Sequence, residues 1–247
     1  MEDHRTTIEV RDLHKSFGPQ TVLDGIGFEV RDGETLAVMG RSGTGKSVLL
    51  KLLIGLASPD AGSVTICGRN IVGLNTHELN KLRKKIGFLF QQGALYDSLT
   101  IEQNVLFPMQ RHTRMDREAQ RQRARELLGN VGLEKDYDKL PSQISGGMQK
   151  RVGLARALAL EPDIVLFDEP TSGLDPITAA EIGKLIVDLK QKRRMSAVVV
   201  THDVRGARSI ADRAVLMDHG KVCAEGSFDD LQNNHDPLVS EFLREGC

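Results

Sequence analysis

The chain has 247 residues, of which 40% are hydrophobic and 27% charged, and its formal net charge is −1. This composition is typical of a soluble globular protein of one large or two small domains, and it gives no overall attraction to nucleic acid or to anionic lipid. No stretch approaches the roughly 18 consecutive apolar residues of a membrane-spanning helix, and the charged residues 1–5 lack the apolar core of a signal peptide.

The N-terminal 39 residues alternate β-like runs with turns. The runs 8–10 and 26–30 lie on either side of a loop around Phe17, and Asp32-Gly33 marks a tight turn. A lone phenylalanine is most often a core residue, so Phe17 indicates nothing special by itself. The fully apolar run 36–39 predicts a buried strand.

A glycine-rich loop follows that strand. Residues 40–47, Gly-Arg-Ser-Gly-Thr-Gly-Lys-Ser, fit the phosphate-binding pattern G-x-x-x-x-G-K-[ST], and a helix is predicted from Val48 onward. Glycines let successive N–H groups point at one anion, and the helix N-terminus adds partial positive charge. We expect Lys46 to reach the β- and γ-phosphates of a nucleotide and Ser47 to ligate Mg²⁺. The alternative is a glycine-rich turn with an incidental lysine.

The chain then forms two further strands before it becomes helical. The run 63–66 predicts one strand, and 86–90 predicts a buried strand ending at Gln91, whose amide we expect to sense Mg²⁺ and water. Viewed alone, Gln91 is a surface glutamine. Thr100 opens the helical part with a T-x-x-Q capping box. In the segment 113–130 the arginines are interspersed with acidic residues. This pattern favours a solvated helix face over a nucleic-acid-binding stripe.

Strands and helices alternate again after residue 161. The apolar runs 164–167 and 197–200 predict strands covered on both faces, and the spacing of apolar residues in 182–189 predicts an amphipathic helix between them. Alternation of this kind favours a parallel α/β sheet, with a helical insertion near residues 92–160.

Polar side chains follow both apolar runs. Asp168 is expected to ligate Mg²⁺ and Glu169 to polarise the water that attacks the γ-phosphate. His202 is expected to contact the γ-phosphate and order that water. Adjacent acids are usually exposed to solvent, and a histidine in this position is often only a satisfied loop residue. The nearby phosphate loop favours the functional interpretation.

Six features now stand in one order along the chain: the phosphate loop, Gln91, residues 145–149 (Ser-Gly-Gly-Met-Gln), Asp168-Glu169, residues 172–175 (Ser-Gly-Leu-Asp) and His202. Over essentially the whole chain they resemble the Walker A, Q-loop, signature, Walker B, D-loop and H-loop motifs of ABC transporter ATP-binding subunits. The resemblance implies an α/β P-loop NTPase fold forming a single ABC ATPase domain, residues 1–247. It comprises a RecA-like core with an antiparallel β-subdomain (1–91 and 161–235), a helical subdomain (92–160) and a short tail (236–247).

The resemblance also implies roles for individual residues. Phe17 would stack on adenine. The remaining ATP contacts would come from Arg41, Ser42, Gly43, Thr44, Gly45, Lys46, Ser47 and Val48. Ser47, Gln91 and Asp168 would hold Mg²⁺, and Glu169, His202 and Gln91 would carry hydrolysis.

Two copies of the chain would pair head to tail, so that each ATP lies between the phosphate loop of one copy and Ser145, Gly147 and Asp175 of the other. Ser145 can cap a helix beginning at Gly146, whose N-terminus would then face the γ-phosphate. Two positions depart from the family pattern: Met148 stands where glutamine is usual, and Arg41 where proline is frequent. Neither changes a backbone phosphate contact, so we expect activity to be retained.

Three stretches, 91–96, 173–178 and 236–243, resemble the Mla/Mce-type phospholipid transport ATPases. This resemblance implies a protein at the cytoplasmic face of the bacterial inner membrane, attached through an integral membrane permease. It also implies an MCE-domain lipid-binding partner, a small regulatory subunit and a function in outer-membrane lipid asymmetry. An ATPase of an amino-acid or other small-solute importer remains open, because such proteins share much of this pattern.

Two other classes of function fit less well. ABC-type ATPases that act on nucleic acid or ribosomes generally carry two ATPase domains, a long coiled coil or zinc cysteines. This chain has one set of motifs, no long heptad run, too few cysteines for such zinc sites and no net basic charge, so we expect no nucleic-acid partner. Its three scattered cysteines, Cys67, Cys223 and Cys247, favour a reducing cytosol. P-loop kinases lack both the signature segment at Ser145 and the strand-end His202.

Overall fold

The structure is a computed structural model that describes residues 5–245. Its strands are β1 (Thr6–Phe17), β2 (Gln20–Arg31), β3 (Thr35–Met39), β4 (Ala61–Ile66), β5 (Arg69–Asn70), β6 (Ile86–Leu89), β7 (Ile164–Asp168), β8 (Ser196–Thr201), β9 (Arg213–Asp218) and β10 (Lys221–Gly226). Its helices are α1 (Lys46–Leu53), α2 (Thr76–Arg83), α3 (Ile101–His112), α4 (Arg117–Asn130), α5 (Gly146–Ala157), α6 (Pro176–Arg193), α7 (Val204–Ile210), α8 (Phe228–Gln232) and α9 (Pro237–Glu245).

The central sheet has six strands in the order β10-β9-β3-β8-β7-β6. The pairs from β9 to β6 are parallel, and only β10 runs antiparallel to its neighbour. Parallel strands bring their carboxyl ends to one edge of the sheet. The loop after β3, the acids at the end of β7 and the residues after β8 therefore meet at that edge.

A second sheet is antiparallel, with the order β2-β1-β4-β5. Its apolar side chains form one core with α1 and one face of the central sheet, a face that includes Val198 and Val200 of β8. The intervening Ala197 and Val199 pack on the other face with α3 to α6. β8 is thus buried on both faces, as the apolar run predicts, and each buried valine contributes about 1.5–3 kcal/mol.

The helical segment between β6 and β7 contains α3, α4 and α5. Thr100 caps α3 in a capping box with Gln103, so that prediction is confirmed. The C-terminal α9 packs into a third core through Val239 and Phe242. The predicted subdomain boundaries stay a prediction, and Cys247 and residues 1–4 lie outside the described residues. No helix within residues 5–245 is long and apolar enough to cross a membrane.

Two local predictions differ from the structure. β6 ends at Leu89 rather than at Gln91, because β6 is the edge strand and the chain leaves it in a turn closed by the Gly93 N–H on the Phe90 carbonyl (2.8 Å). Around Phe17 the strands continue further than predicted: Phe17 pairs with Gln20, so β1 and β2 form a hairpin. Phe17 is not a core residue, since 53% of it is exposed.

Candidate nucleotide-binding site

The phosphate loop is packed too closely for side chains at two of its glycines. Gly40 has φ +158°, and a Cβ on it would lie 2.4 Å from the Met217 carbonyl oxygen of β9. Gly45, the N-cap of α1, has φ +95°, and its Cβ would lie 2.7 Å from Leu23. Contacts this short require glycine, so the backbone of the loop packs closely against both sheets.

Lys46 begins α1 with its side chain buried under the loop. Its Nζ donates hydrogen bonds to the carbonyl oxygens of Gly40 (2.7 Å) and Arg41 (2.9 Å). Burial lowers the pKa of this ammonium, and the carboxylates of Glu169 and Asp168 act in the opposite direction. The loop therefore holds a lysine charge directly beneath the surface that would meet a phosphate.

Ser47 and Asp168 form the polar pair next to Lys46. The Ser47 hydroxyl donates to Asp168 Oδ1 at 3.4 Å, which brings the start of α1 to the end of β7. Burial raises the pKa of the Asp168 carboxyl, with a second contribution from Glu169. Ser47, Lys46 and Lys51 act in the opposite direction, and a further cation beside this carboxylate would also favour its charged form.

Glu169 has a backbone conformation that is unusual outside glycine, with φ +49°. Such conformations cost on the order of 1–3 kcal/mol and persist only where surrounding contacts fix them. Here the Glu169 N–H donates to the Val200 carbonyl at 2.9 Å, and its own carbonyl accepts from Lys150 Nζ at 2.9 Å. The turn after β7 is therefore clamped from two sides.

The Glu169 side chain is buried and both of its oxygens have partners. Oε2 accepts from the Thr201 hydroxyl at 3.1 Å, and Oε1 lies 2.8 Å from His202 Nδ1. The other ring nitrogen of His202 makes no hydrogen bond within residues 5–245, and more than half of the His202 side chain is exposed. The structure thus brings Lys46, Ser47, Asp168, Glu169 and His202 together at one edge of the sheet.

The signature segment forms the N-terminus of α5. Ser145 is the N-cap, and its hydroxyl accepts from the Met148 N–H at 3.2 Å, as predicted. A Cβ on Gly147 would lie 2.6 Å from Thr178 Cγ2, so this glycine permits close packing of α5 on α6. Asp175 caps α6, and its hydrogen bonds from the Thr178 hydroxyl and N–H lower the pKa of its carboxyl.

Gln91 is exposed and lies in a groove of about 460 Å³ that is also lined by Lys150, Ser172 and residues of the signature helix. The groove connects the loop after β6 to the turn after β7. No hydrogen bond joins Gln91 to Asp168 or Glu169 in the described chain. Its predicted contact with Mg²⁺ and water stays a prediction.

Two further predicted nucleotide contacts are Phe17 and Arg41. The exposed ring of Phe17 has Lys15 Nζ 5.4 Å from its centre, an arrangement that leaves an aromatic surface beside a positive charge. Arg41 of the phosphate loop pairs with Glu241 of α9 at 3.0 Å, which connects the loop to the C-terminal helix.

A family model described as "ABC transporter" matches residues 23–172, a range that includes the phosphate loop, the signature segment and Asp168-Glu169. The chain belongs to the ABC transporter ATPase family. It binds and hydrolyses ATP, and the predictions of fold class, family and enzymatic activity are confirmed. The known structure of the ATP-binding cassette MJ0796, a dimer in a post-hydrolysis state with ADP and Pi, is 36% identical to the chain. It has a TM-score of 0.82, and the match covers 89% of this chain and 98% of that one.

Curated relatives of this ABC ATPase have different substrate names. The chain is 41% identical over 236 residues to mkl of Mycobacterium leprae, a probable ribonucleotide transport ATP-binding protein, covering 96% of this chain and 68% of the relative. It is 39% identical over 241 residues to the intermembrane phospholipid transport system ATP-binding protein MlaF of Haemophilus influenzae, covering 98% and 91%. The chain spans about two thirds of the mycobacterial relatives' length and most of MlaF.

Sequence reasoning missed three residues that position parts of this ABC ATPase site. Thr201 binds the Glu169 carboxylate, Lys150 binds its carbonyl, and Arg156 donates to the carbonyls of Gly93 (2.7 Å) and Ala94 (2.8 Å) in the loop after Gln91. Lysine and arginine on a helix ordinarily suggest a solvated face. The only sequence signal that Lys150 and Arg156 point into the protein is the number of apolar residues around them in 150–158.

Lys150 is the strongest of these positioning candidates. It is buried, burial lowers the pKa of its ammonium, and it donates to the carbonyls of both Glu169 (2.9 Å) and Ser172 (2.8 Å). We expect Lys150→Met to reduce kcat about tenfold to a hundredfold, since displacement of a reacting group by about 1 Å has effects of that size. ATP affinity should change little, because no phosphate-loop contact is removed.

The measurement is steady-state ATPase kinetics with nucleotide affinity determined separately. Lys150→Gln should recover part of kcat, since an amide can donate to both carbonyls, and Lys184→Met on the exposed face of α6 serves as the matched control. Unchanged kcat in a folded Lys150→Met variant would show that the turn holds Glu169 without this lysine.

Proposed function

We propose that the chain is the ATPase subunit of a phospholipid transporter in a bacterial inner membrane and helps to maintain outer-membrane lipid asymmetry. The observation that carries the proposal is its near end-to-end similarity, at about 40% identity, to the MlaF proteins named for phospholipid transport. The subunit would lie at the cytoplasmic face of the membrane, held there by its permease.

Within one subunit, the roles proposed for the site residues follow from their contacts. Lys46 and the N–H groups of the phosphate loop bind the phosphates, and Phe17 stacks on adenine. Glu169 acts as general base on the attacking water: its carboxylate keeps free lone pairs beside its bonds to Thr201 and His202. His202 fixes the carboxylate through Nδ1 and presents its other ring nitrogen to the γ-phosphate.

The residues present fit a magnesium ion. Hard oxygen donors are the ligands Mg²⁺ prefers, and the Ser47 hydroxyl and Asp168 carboxylate provide two of them 3.4 Å apart. Bound there with ATP, Mg²⁺ would neutralise charge on the β- and γ-phosphates. Gln91 would complete the set of protein ligands once the loop after β6 approaches the site.

A second copy of the chain completes each site. Ser145, Gly147 and Asp175 of one copy would close over the ATP bound by the other, because the capped N-terminus of α5 offers N–H groups and partial positive charge to the γ-phosphate. Each subunit therefore provides half of two sites. ATP stabilises the closed dimer, and hydrolysis weakens it.

The permease is proposed to dock in an aromatic groove of about 410 Å³ that includes Phe88, Phe90, Tyr96 and Phe107. Phe90 and Tyr96 are 40% and 46% exposed, and exposed aromatic clusters are typical of protein interfaces. Ala94 lines both this aromatic groove and the groove that contains Gln91. A partner seated here would thus sense movement next to the nucleotide. An MCE-domain lipid-binding protein and a small regulatory subunit complete the proposed assembly.

Reconstitution with the cognate permease in vesicles tests the substrate. We expect ATP-dependent movement of a labelled phospholipid, and no movement with the Glu169→Gln subunit as the matched control. ATP-dependent uptake of ribonucleotides or amino acids without lipid movement would contradict the phospholipid proposal. Ribonucleotide uptake would favour the substrate in the name of the mycobacterial relative, and amino-acid uptake would favour the solute-importer alternative.

A further inference from the structure

A polar pocket of about 470 Å³ lies at the opposite end of the parallel strands from the phosphate loop. Lys85 and Asp163 in its wall directly precede β6 and β7, and Arg194 precedes β8 by two residues. Thr7 of β1 and Cys67, just after β4, complete the wall from the antiparallel sheet. The pocket therefore lies between the two sheets and shares no residue with the ATP site.

Backbone hydrogen bonds fix the walls of this pocket. The Asp163 N–H donates to the Lys85 carbonyl at 2.9 Å, and the Ser196 N–H donates to the Asp163 carbonyl at 3.1 Å. Across the pocket, the Cys67 N–H donates to the Thr7 carbonyl at 2.8 Å. These bonds fix strand ends within each sheet, and the Ser196 hydroxyl donates to the Thr7 hydroxyl at 3.1 Å between the sheets. The cavity is therefore preformed, and ordering its walls on ligand binding would cost little free energy.

Positive charge is in excess here. The basic lining residues are Arg5, Lys85, Arg193 and Arg194, and the acidic ones are Asp32, Glu161 and Asp163. Asp163 pairs with Lys85 at 3.1 Å, and Glu161 pairs with Arg123 at 2.9 Å. Within residues 5–245 the three lining arginines make no ion pair at 4 Å or less, although the carboxylates of Glu161 and Glu126 act on Arg193 from further away.

Arg193 is the most informative of the three arginines. It is only half exposed, and burial followed by the nearby Arg123 guanidinium lowers the pKa of its side chain. A cation in the last turn of a helix interacts favourably with the helix dipole, as Arg193 of α6 can. That interaction does not require burial, because the charged end of the side chain can stay in water. The carboxylates of Glu161 and Glu126 raise the pKa of Arg193 without outweighing burial and Arg123, so a bound anion would offset the remaining desolvation cost.

We propose that this pocket binds a phosphate-bearing anion between Arg5, Arg193 and Arg194. Planar guanidinium groups donate paired hydrogen bonds that match phosphate oxygens better than an ammonium does. Pro162 lines both this pocket and the aromatic groove proposed for the permease, so the anion would sit beside the membrane partner. Its source is either the headgroup of an anionic phospholipid or free phosphate in solution. The site would be a second phosphate site, separate from the one used in hydrolysis.

Cys67 allows the proposal to be tested by thiol labelling. It lines the pocket and its thiol is half-buried, whereas Cys223 is exposed elsewhere and gives an internal reference in the same molecule. The full chain is saturated with Mg-ADP to fill the phosphate loop, and alkylation at both cysteines is followed by mass spectrometry. One arm adds sodium phosphate against sodium chloride of equal ionic strength. The other adds phosphatidylglycerol vesicles against phosphatidylcholine vesicles.

We expect one arm to slow alkylation of Cys67 relative to Cys223 by about tenfold at about 90% occupancy, since only the unliganded fraction reacts. Protection by sodium phosphate assigns the source to solution, and protection by phosphatidylglycerol vesicles alone assigns it to lipid. Arg193→Gln combined with Arg194→Gln should abolish protection, while Lys192→Gln on the exposed side of the same helix end should retain it. Arg5→Gln provides a second test at a surface position, in case the double variant fails to fold.

Absence of protection in both arms would overturn the proposal. So would equal protection by phosphatidylcholine vesicles, or protection that survives in both arginine variants. The assay uses the ADP-bound subunit without permease or hydrolysis, so its outcome is independent of whether the transported substrate is a phospholipid.

Discussion

Glu169→Gln is expected to bind ATP as tightly as the wild-type chain while its ATP turnover falls by about 10²–10⁴-fold, the usual contribution of a positioned general base. The amide retains the size of the carboxyl and can still accept from Thr201, so the turn held by Lys150 should be preserved. Without the base, ATP persists between the subunits. We therefore expect a stable dimer that forms with ATP and not with ADP.

Size-exclusion chromatography with each nucleotide, together with phosphate release, measures both effects. Glu134→Gln, an exposed acid on the connection after α4, is the matched control and should behave like the wild type. Wild-type turnover in Glu169→Gln would exclude Glu169 as the base. Loss of ATP binding would mean that the substitution disturbed the turn rather than the chemistry.

The sequence predicts the placement of several candidate ATP-site residues at one edge of the sheet, because their signals are local. A glycine pattern between an apolar run and a helix specifies the phosphate loop, and parallel strands place Asp168, Glu169 and His202 at the same edge without any knowledge of the contacts. The N-cap at Ser145 follows from the family resemblance together with the preference of serine for N-cap positions. The predictions for the phosphate loop and the strand-end residues required only the period of the pattern and the direction of the strands, whereas the role of Ser145 depends on the resemblance.

The residues that fix the site were not predictable in this way. Lys150 and Thr201 act across α5, β7 and β8, and only their three-dimensional contacts identify them. The positive φ of Glu169 leaves no trace in composition, because glutamate is not a residue that favours it. The predicted end of β6 is two residues too late, because an apolar run does not indicate where an edge strand ends. Phe90, for example, is apolar yet 40% exposed.

Mixing two inactive variants is expected to restore ATPase activity if each site is shared between copies. Lys46→Ala removes the phosphate-binding lysine, and Ser145→Arg places a bulky side chain at the N-terminus of α5, which would face the partner's ATP. A mixed dimer contains one site with both groups intact and one with neither. Random pairing makes half of the dimers mixed, so an equimolar mixture should recover about a quarter of wild-type activity if complete sites act independently.

A related consequence can be checked in the wild-type chain alone. If Ser145 and Gly147 must come from a second copy, turnover per subunit should rise with protein concentration and fall on dilution, by mass action. In the mixing experiment, Ser142→Arg is the control for the bulk of Ser145→Arg. It places the same side chain at an exposed position just before the signature segment and should retain activity. Turnover per subunit that is independent of dilution, with no recovery on mixing, would show that one copy completes its own site. The 2.8 Å contact of Glu169 with His202 would then have to suffice for hydrolysis without a partner's helix.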